Sequence, residues 1–143
     1  MTPSGAKAER YLIRALDACG WTCMRAPASG SGTKRSLPDV LASDIDVRPR
    51  AIELKSTKAQ TAYVKESEDL ALQEFCNGFG AVPILAFYFK SAGTRRKIWL
   101  CHPDDCRITD SGSRALSEQN AAQVAHAVVL PETTTKDPKV RDL

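Results

Sequence analysis

Asp39, Glu53 and Lys55 are the residues of this 143-residue chain whose types and spacing can do chemistry together. Asp39 follows a proline at the head of an apolar stretch, P-D-V-L-A, while Glu53 and Lys55 flank a leucine in A-I-E-L-K. Side chains alternate between the faces of a strand, so Ala51, Glu53 and Lys55 share one face and Ile52 and Leu54 the other. With Asp39 on a neighbouring antiparallel strand, its carboxylate converges on that of Glu53. Two carboxylates with room for water suit Mg²⁺, with Mn²⁺ as a substitute, because such ions take oxygen ligands octahedrally and keep several waters. A lysine two residues further on can orient or help deprotonate an attacking water and offset charge on a scissile phosphate. The chemistry implied is metal-assisted phosphodiester hydrolysis.

Such a unit needs strands held side by side. Ala8, Tyr11, Leu12, Ala15, Leu16 and Cys19 recur at helical spacing and predict a first helix over 4–19, closed by Gly20. W-T-C-M-R-A and residues 39–42 read as strands, and the polar S-D-I-D-V-R-P returns the chain into the strand R-A-I-E-L-K. Tyr63 and Val64 fall in a second loop. Residues 66–79 read as a helix with Leu72, Phe75, Cys76 and Phe79 inward, ended by Gly78 and Gly80. V-P-I-L-A-F-Y-F is continuously apolar, as in a strand buried on both faces, and R-K-I-W-L-C reads as a final strand. Residues 112–130 carry a weaker helical pattern. From Pro131 there is almost nothing to bury, and 131–143 is expected to be a disordered tail behind a domain spanning 1–130. The fold class expected is α/β: a single domain with a central mixed sheet flanked by helices.

A hydrophobic content of 43% suffices for one core, and no apolar run is long enough to span a membrane. The N-terminus lacks the layout of a signal peptide, so a cytoplasmic location is expected. Five cysteines, odd in number and mostly in apolar sequence, argue for reduced thiols. C-H-P-D-D-C offers Cys101, His102 and Cys106, but no second cysteine pair completes a zinc spacing. Residues 1–60 carry a net charge of +4 and the remainder −1, a basic half holding a few carboxylates, as a polyanionic partner and a cation require.

Taken in order, G-A-K-A-E-R-Y-L-I-R-A-L, G-W-T-C-M-R-A-P-A-S-G-S, P-D-V-L-A, I-E-L-K and, more weakly, A-Y-V with L-Q-E-F-C-N-G-F-G-A-V-P-I-L-A resemble the archaeal Holliday junction resolvases. These lie within the PD-(D/E)-x-K nuclease superfamily. The resemblance covers roughly the first 100 residues and implies a restriction-endonuclease-like core. It also implies that Glu9 joins Asp39 and Glu53 around the metal, that Lys55 is the motif lysine, and that Ser29 is a further catalytic residue. Glu9 fits independently, since it borders the apolar stripe beside Leu12 and Ile13 and can face a cleft.

On this reading residues 29–36 form a glycine-containing loop that delivers Ser29 to the metal and Lys34 and Arg35 to the DNA backbone. Arg10, Arg14 and Arg25 extend the basic surface, holding phosphates without specifying bases. Lys58 and Tyr63 are assigned to DNA as well. The expected substrate is a four-way junction, association with the nucleoid runs through DNA, and the resemblance implies a homodimer whose two active sites match the junction's two-fold symmetry. Whether the tail recruits a replication or repair protein is open; it carries no aromatic anchor. The same residues would serve a restriction-like or repair nuclease acting on linear, nicked or flapped DNA. A non-catalytic junction-binding scaffold fits less well, because a pure binder has no use for carboxylates facing phosphate.

Overall fold

The structure is a computed structural model and describes residues 3–26, 37–90 and 97–129. Helix α1 (Pro3–Ala18) comes first, followed by strands β1 (Thr22–Arg25), β2 (Val40–Ser43), β3 (Arg50–Thr57) and β4 (Thr61–Val64). Helix α2 (Glu66–Phe79) leads into β5 (Val82–Phe89) and β6 (Lys97–Cys101). A 3₁₀ turn at Pro103–Asp105 then precedes β7 (Arg107–Ile108), β8 (Arg114–Ser117), α3 (Glu118–Val124) and β9 (His126–Val129).

The main sheet has six strands in the order β1-β2-β3-β5-β6-β9, and a second sheet has three in the order β4-β8-β7. Among the described strands only β3 and β5 run parallel, which requires a crossover, and β4 with α2 supplies it. Every other pairing is antiparallel. The result is a mixed α/β fold, as expected.

The sheet is covered on both faces, and the strand period decides which residue goes where. Ile84 and Ala86 of β5 join Leu12, Leu16, Ile52 and Leu100 in a core beneath α1. Their neighbours Leu85, Phe87 and Phe89 join Ala51, Leu72, Cys76 and Cys101 in a second core beneath α2. This alternation accounts for the unbroken apolar run of β5, since neither face meets water. Phe87 is fully buried, and its replacement by alanine should cost about 3–5 kcal/mol.

The helices end where glycine permits. Gly20 at φ 93° and Gly80 at φ 80° adopt the left-handed conformation, and Gly80 N–H caps the Cys76 carbonyl at 2.9 Å. All six residues read as the inward stripe of the first helix are buried. In α2, Leu72 and Cys76 are buried, but Phe79 is 53% exposed, stacked on Phe75 at a ring distance of 5.1 Å rather than turned inward. Its ring meets Phe75 in the last helical turn instead of the core.

Two further expectations are corrected. Tyr63 and Val64 lie in a strand, β4, whose partner β8 comes some fifty residues later, so no local signal marks the pairing. Residues 112–130 are not one helix: they form β8, the seven-residue α3 and β9, with the Ser117 hydroxyl capping α3 through Asn120 N–H at 3.3 Å. Strand β6 is therefore not the last, because β9 pairs with it on the outer edge of the main sheet. The tail 131–143 lies outside the described residues. Among the described residues no helix is long and apolar enough to cross a membrane.

Candidate active site

Asp39 stands one residue ahead of β2, where the ladder to β3 runs out. Its N–H donates to the Ile52 carbonyl at 3.0 Å, and its own carbonyl accepts from Ala26 N–H at 3.0 Å, so the backbone is fixed from both sides. The next donor on β3, Leu54 N–H, has no carbonyl opposite it and is taken by Asp39 Oδ2 at 2.8 Å. A side chain thus replaces a rung of the ladder, which satisfies a buried donor and aims the carboxyl across β3.

Glu53 is next along β3, and its side chain is hydrogen-bonded to Asp39. Burial, the contact with Asp39 and the charges of Asp39 and Glu68 push its carboxyl up to about 9, against the opposing pull of Lys55. At neutral pH the Glu53 carboxyl therefore keeps its proton beside Asp39.

Lys55 lies on the same face as Glu53, and its ammonium donates to Glu68 on α2. Glu68 is a partner of Lys55 that the linear pattern missed. Its other oxygen accepts Lys65 N–H at 3.1 Å, closing the first turn of α2. Burial would raise the Glu68 carboxyl, but the bonds from Lys55 and the Lys65 backbone and the charges of both lysines hold it below its usual range. The available signal was its third place in the acidic helix start E-S-E-D, three residues past Lys65.

Glu9 lies on α1, and Arg25 Nε donates to its Oε1 at 3.0 Å. Arg25 pairs with Val40, the residue after Asp39, so this ion pair sits at the same end of the sheet as the carboxyl pair. Among the described residues no three His, Cys, Asp or Glu side chains gather as a metal-holding group. Asp39 and Glu53 are brought together, whereas Glu9 is paired with Arg25.

Arg10, Arg14, Arg25, Lys58 and Tyr63 are all exposed. Ser29, Lys34 and Arg35 lie outside the described residues, as does the loop assigned to them. Cys101 and Cys106 bring their thiols to 3.0 Å, and none of the five cysteines is in a disulfide. Beyond the site, Asp69 is buried on α2 and accepts from Arg114 Nε of β8 at 3.0 Å and from Gln73 at 3.3 Å, which ties the small sheet to the helix carrying Glu68.

A family model described as the archaeal Holliday junction resolvase (Hjc) matches residues 1–136. The crossover junction endodeoxyribonuclease Hjc of Sulfolobus acidocaldarius is 32% identical over 110 residues, covering 76% of this chain and 73% of that protein. That of Sulfurisphaera tokodaii is 36% identical over 77 residues, 53% of each chain. Among solved structures, that of Archaeoglobus fulgidus Hjc, a Holliday junction resolvase from an archaeal hyperthermophile, matches with a TM-score of 0.70 at 23% identity. The match covers 82% of this chain and 90% of that one. This likeness extends the fold, two helix-covered faces of a mixed sheet, to a restriction-endonuclease-like core.

Proposed function

The chain belongs to the archaeal Holliday junction resolvase family, and from that premise we propose that Asp39, Glu53 and Lys55 are its catalytic centre. The protein is a junction-resolving endonuclease, hydrolysing phosphodiesters in four-way DNA. The observation that carries the site assignment is the Asp39–Glu53 contact, two carboxyls held together where only one can be charged without a counter-ion.

That contact also tests the fit of a cation. Hard divalent ions prefer carboxylate oxygens, and a pair holding a proton can exchange it for such an ion. The family implies divalent-cation dependence; we read the ion as Mg²⁺, with Mn²⁺ as a substitute, held by Asp39 and Glu53 with Glu9 assisting directly or through water. When bound, it would supply Lewis-acid polarisation of the phosphate and neutralise charge. Arg25 has to yield Glu9 for that assistance, and DNA phosphate is the natural alternative partner for its guanidinium.

The residues of this chain do the remaining work. Asp39 is locked by Leu54 N–H, so the carboxyl pair is preformed. Lys55 orients the attacking water and faces the charge that develops on the phosphate. Ser29 is assigned to the scissile phosphate on the family pattern. Arg10, Arg14, Arg25, Lys34, Arg35 and Lys58 hold the backbone, and exposed Tyr63 offers a ring to nucleic acid. We take residues 1–130 as the nuclease domain and the active form as a homodimer. Leu70 and Phe79, more than half exposed on opposite sides of α2, are separate candidate apolar contacts for it.

The test is strand cleavage of a labelled four-way junction in Mg²⁺, against a linear duplex of the same arm sequence. Paired incisions confined to the junction are expected. Equal cutting of both would transfer the chemistry to a restriction-like or repair nuclease, and tight binding without incision in either metal would make the protein a scaffold.

A further inference from the structure

Lys55 has two sets of acceptors within reach, and the fold offers it the one that leaves the carboxyl pair alone. The charge of Lys55 acts on Glu53, which sits two residues away on the same strand face. Its ammonium nevertheless bonds to Glu68, across the gap between β3 and α2. Both side chains are about 30% exposed, at 31% and 29%, so the pair lies at the rim of the site rather than deep in the core.

Glu68 is a fixed acceptor. One oxygen is held by Lys65 N–H in the first turn of α2, leaving the other to face β3. The helix itself is anchored beneath the sheet by Leu72 and Cys76 and tied to β8 through Asp69 and Arg114. A lysine has a long, freely rotating stem, and fixing it costs up to about 2 kcal/mol of rotamer freedom. An acceptor already immobilised by a helix end reduces the number of positions the ammonium samples. One of the three N–H donors then goes to Glu68 and two remain for water and a phosphate oxygen.

We propose that Glu68 is a positioning residue for junction cleavage: it holds the Lys55 ammonium beside the scissile phosphate and off Asp39 and Glu53, leaving that pair to the cation. The proposal rests on the assignment of Lys55 to the reaction. Without Glu68, the nearest carboxyl on the strand face is Glu53, and an ammonium seated there competes with a divalent ion for the same oxygens. A residue that only capped α2 would affect helix stability and nothing else.

The experiment combines single-turnover cleavage of pre-bound junction with Mn²⁺ binding to the DNA-free protein, measured by calorimetry, for E68A, E68Q, K55A and the two doubles. Glutamine keeps the acceptor for Lys65 N–H, so E68Q preserves the cap and stays informative should E68A unfold. Cleavage should fall about 10- to 100-fold in E68A and about 10-fold in E68Q, with junction affinity within about twofold of the parent. K55A/E68A should be no slower than K55A, the non-additivity of two residues acting as one. Mn²⁺ affinity should drop by about tenfold in E68Q and return in K55A/E68Q. E68Q and E68A cutting at the parent rate beside an inactive K55A would overturn the role of Glu68 alone, as would additive losses or unchanged Mn²⁺ affinity. A K55A protein that cuts normally would overturn the Lys55 assignment and this inference with it.

Discussion

At the scale of single residues, the carboxyl pair makes a prediction about pH. Glu53 is raised by burial and by Asp39 from 4.5 to about 9, so between those values the folded protein binds more protons than the unfolded chain. Stability from this group is full below about pH 4.5 and is lost as pH rises through about 9. Cation-free protein should therefore lose up to about 3 kcal/mol more than E53Q between pH 6 and pH 8, measured by urea unfolding. Equal slopes would show that Glu53 is ionised throughout. By the same linkage, Mn²⁺ binding should tighten as pH rises toward 9 and release a proton, which calorimetry in buffers of different ionisation heat reads directly. Asp39, Glu53 and Lys55 were legible in the linear sequence because a strand's period of two fixes which residues face together. Glu68 was not, because its tie to Lys55 spans two elements that no local pattern relates.

At the scale of elements, Asp39 acts as a piece of the β2–β3 ladder as well as the proposed ligand. Asp39→Asn keeps an acceptor for Leu54 N–H and should fold normally, whereas Asp39→Ala orphans that donor and should cost about 1–3 kcal/mol in thermal or chemical unfolding. A D39A protein as stable as D39N would mean that water replaces the bond at no cost. The tie between α2 and the small sheet has the larger structural weight. Among the described residues, removing Asp69 leaves the Arg114 guanidinium with only the more distant Asp104, at 3.7 Å, and Asp69→Ala should cost about 3 kcal/mol. An unchanged denaturation midpoint would show the pair to be incidental. Helix α1 and strand β5 were readable because their apolar periods of 3.6 and of an unbroken run are local properties. Strands β4, β8 and β9 escaped because their partners are distant in sequence, and a weak helical period in A-A-Q-V-A-H-A-V-V masked the switch into β9.

At the scale of the whole molecule, the mixed sheet puts the two carboxyls where β2 ends against β3, with α1 bringing Glu9 from one face and α2 bringing Glu68 from the other. A junction has two strands to cut, and the proposed dimer would relate two such sites by its symmetry. Light scattering should report about twice the chain mass of 15.6 kDa, and Leu70→Lys with Phe79→Lys should shift it to the monomer without loss of helix. A mass unchanged by the double substitution would place the contact elsewhere. Whether Asp39 and Glu53 perform the cleavage or support the fold is decided by two readouts on one labelled four-way junction. For D39N and E53Q, affinity by gel shift and incision in Mg²⁺ are followed side by side, with circular dichroism to confirm folding. Folded variants that bind like the parent and leave both strands uncut are the predicted result; a folded D39N or E53Q that incises the junction at the parent rate would contradict the account.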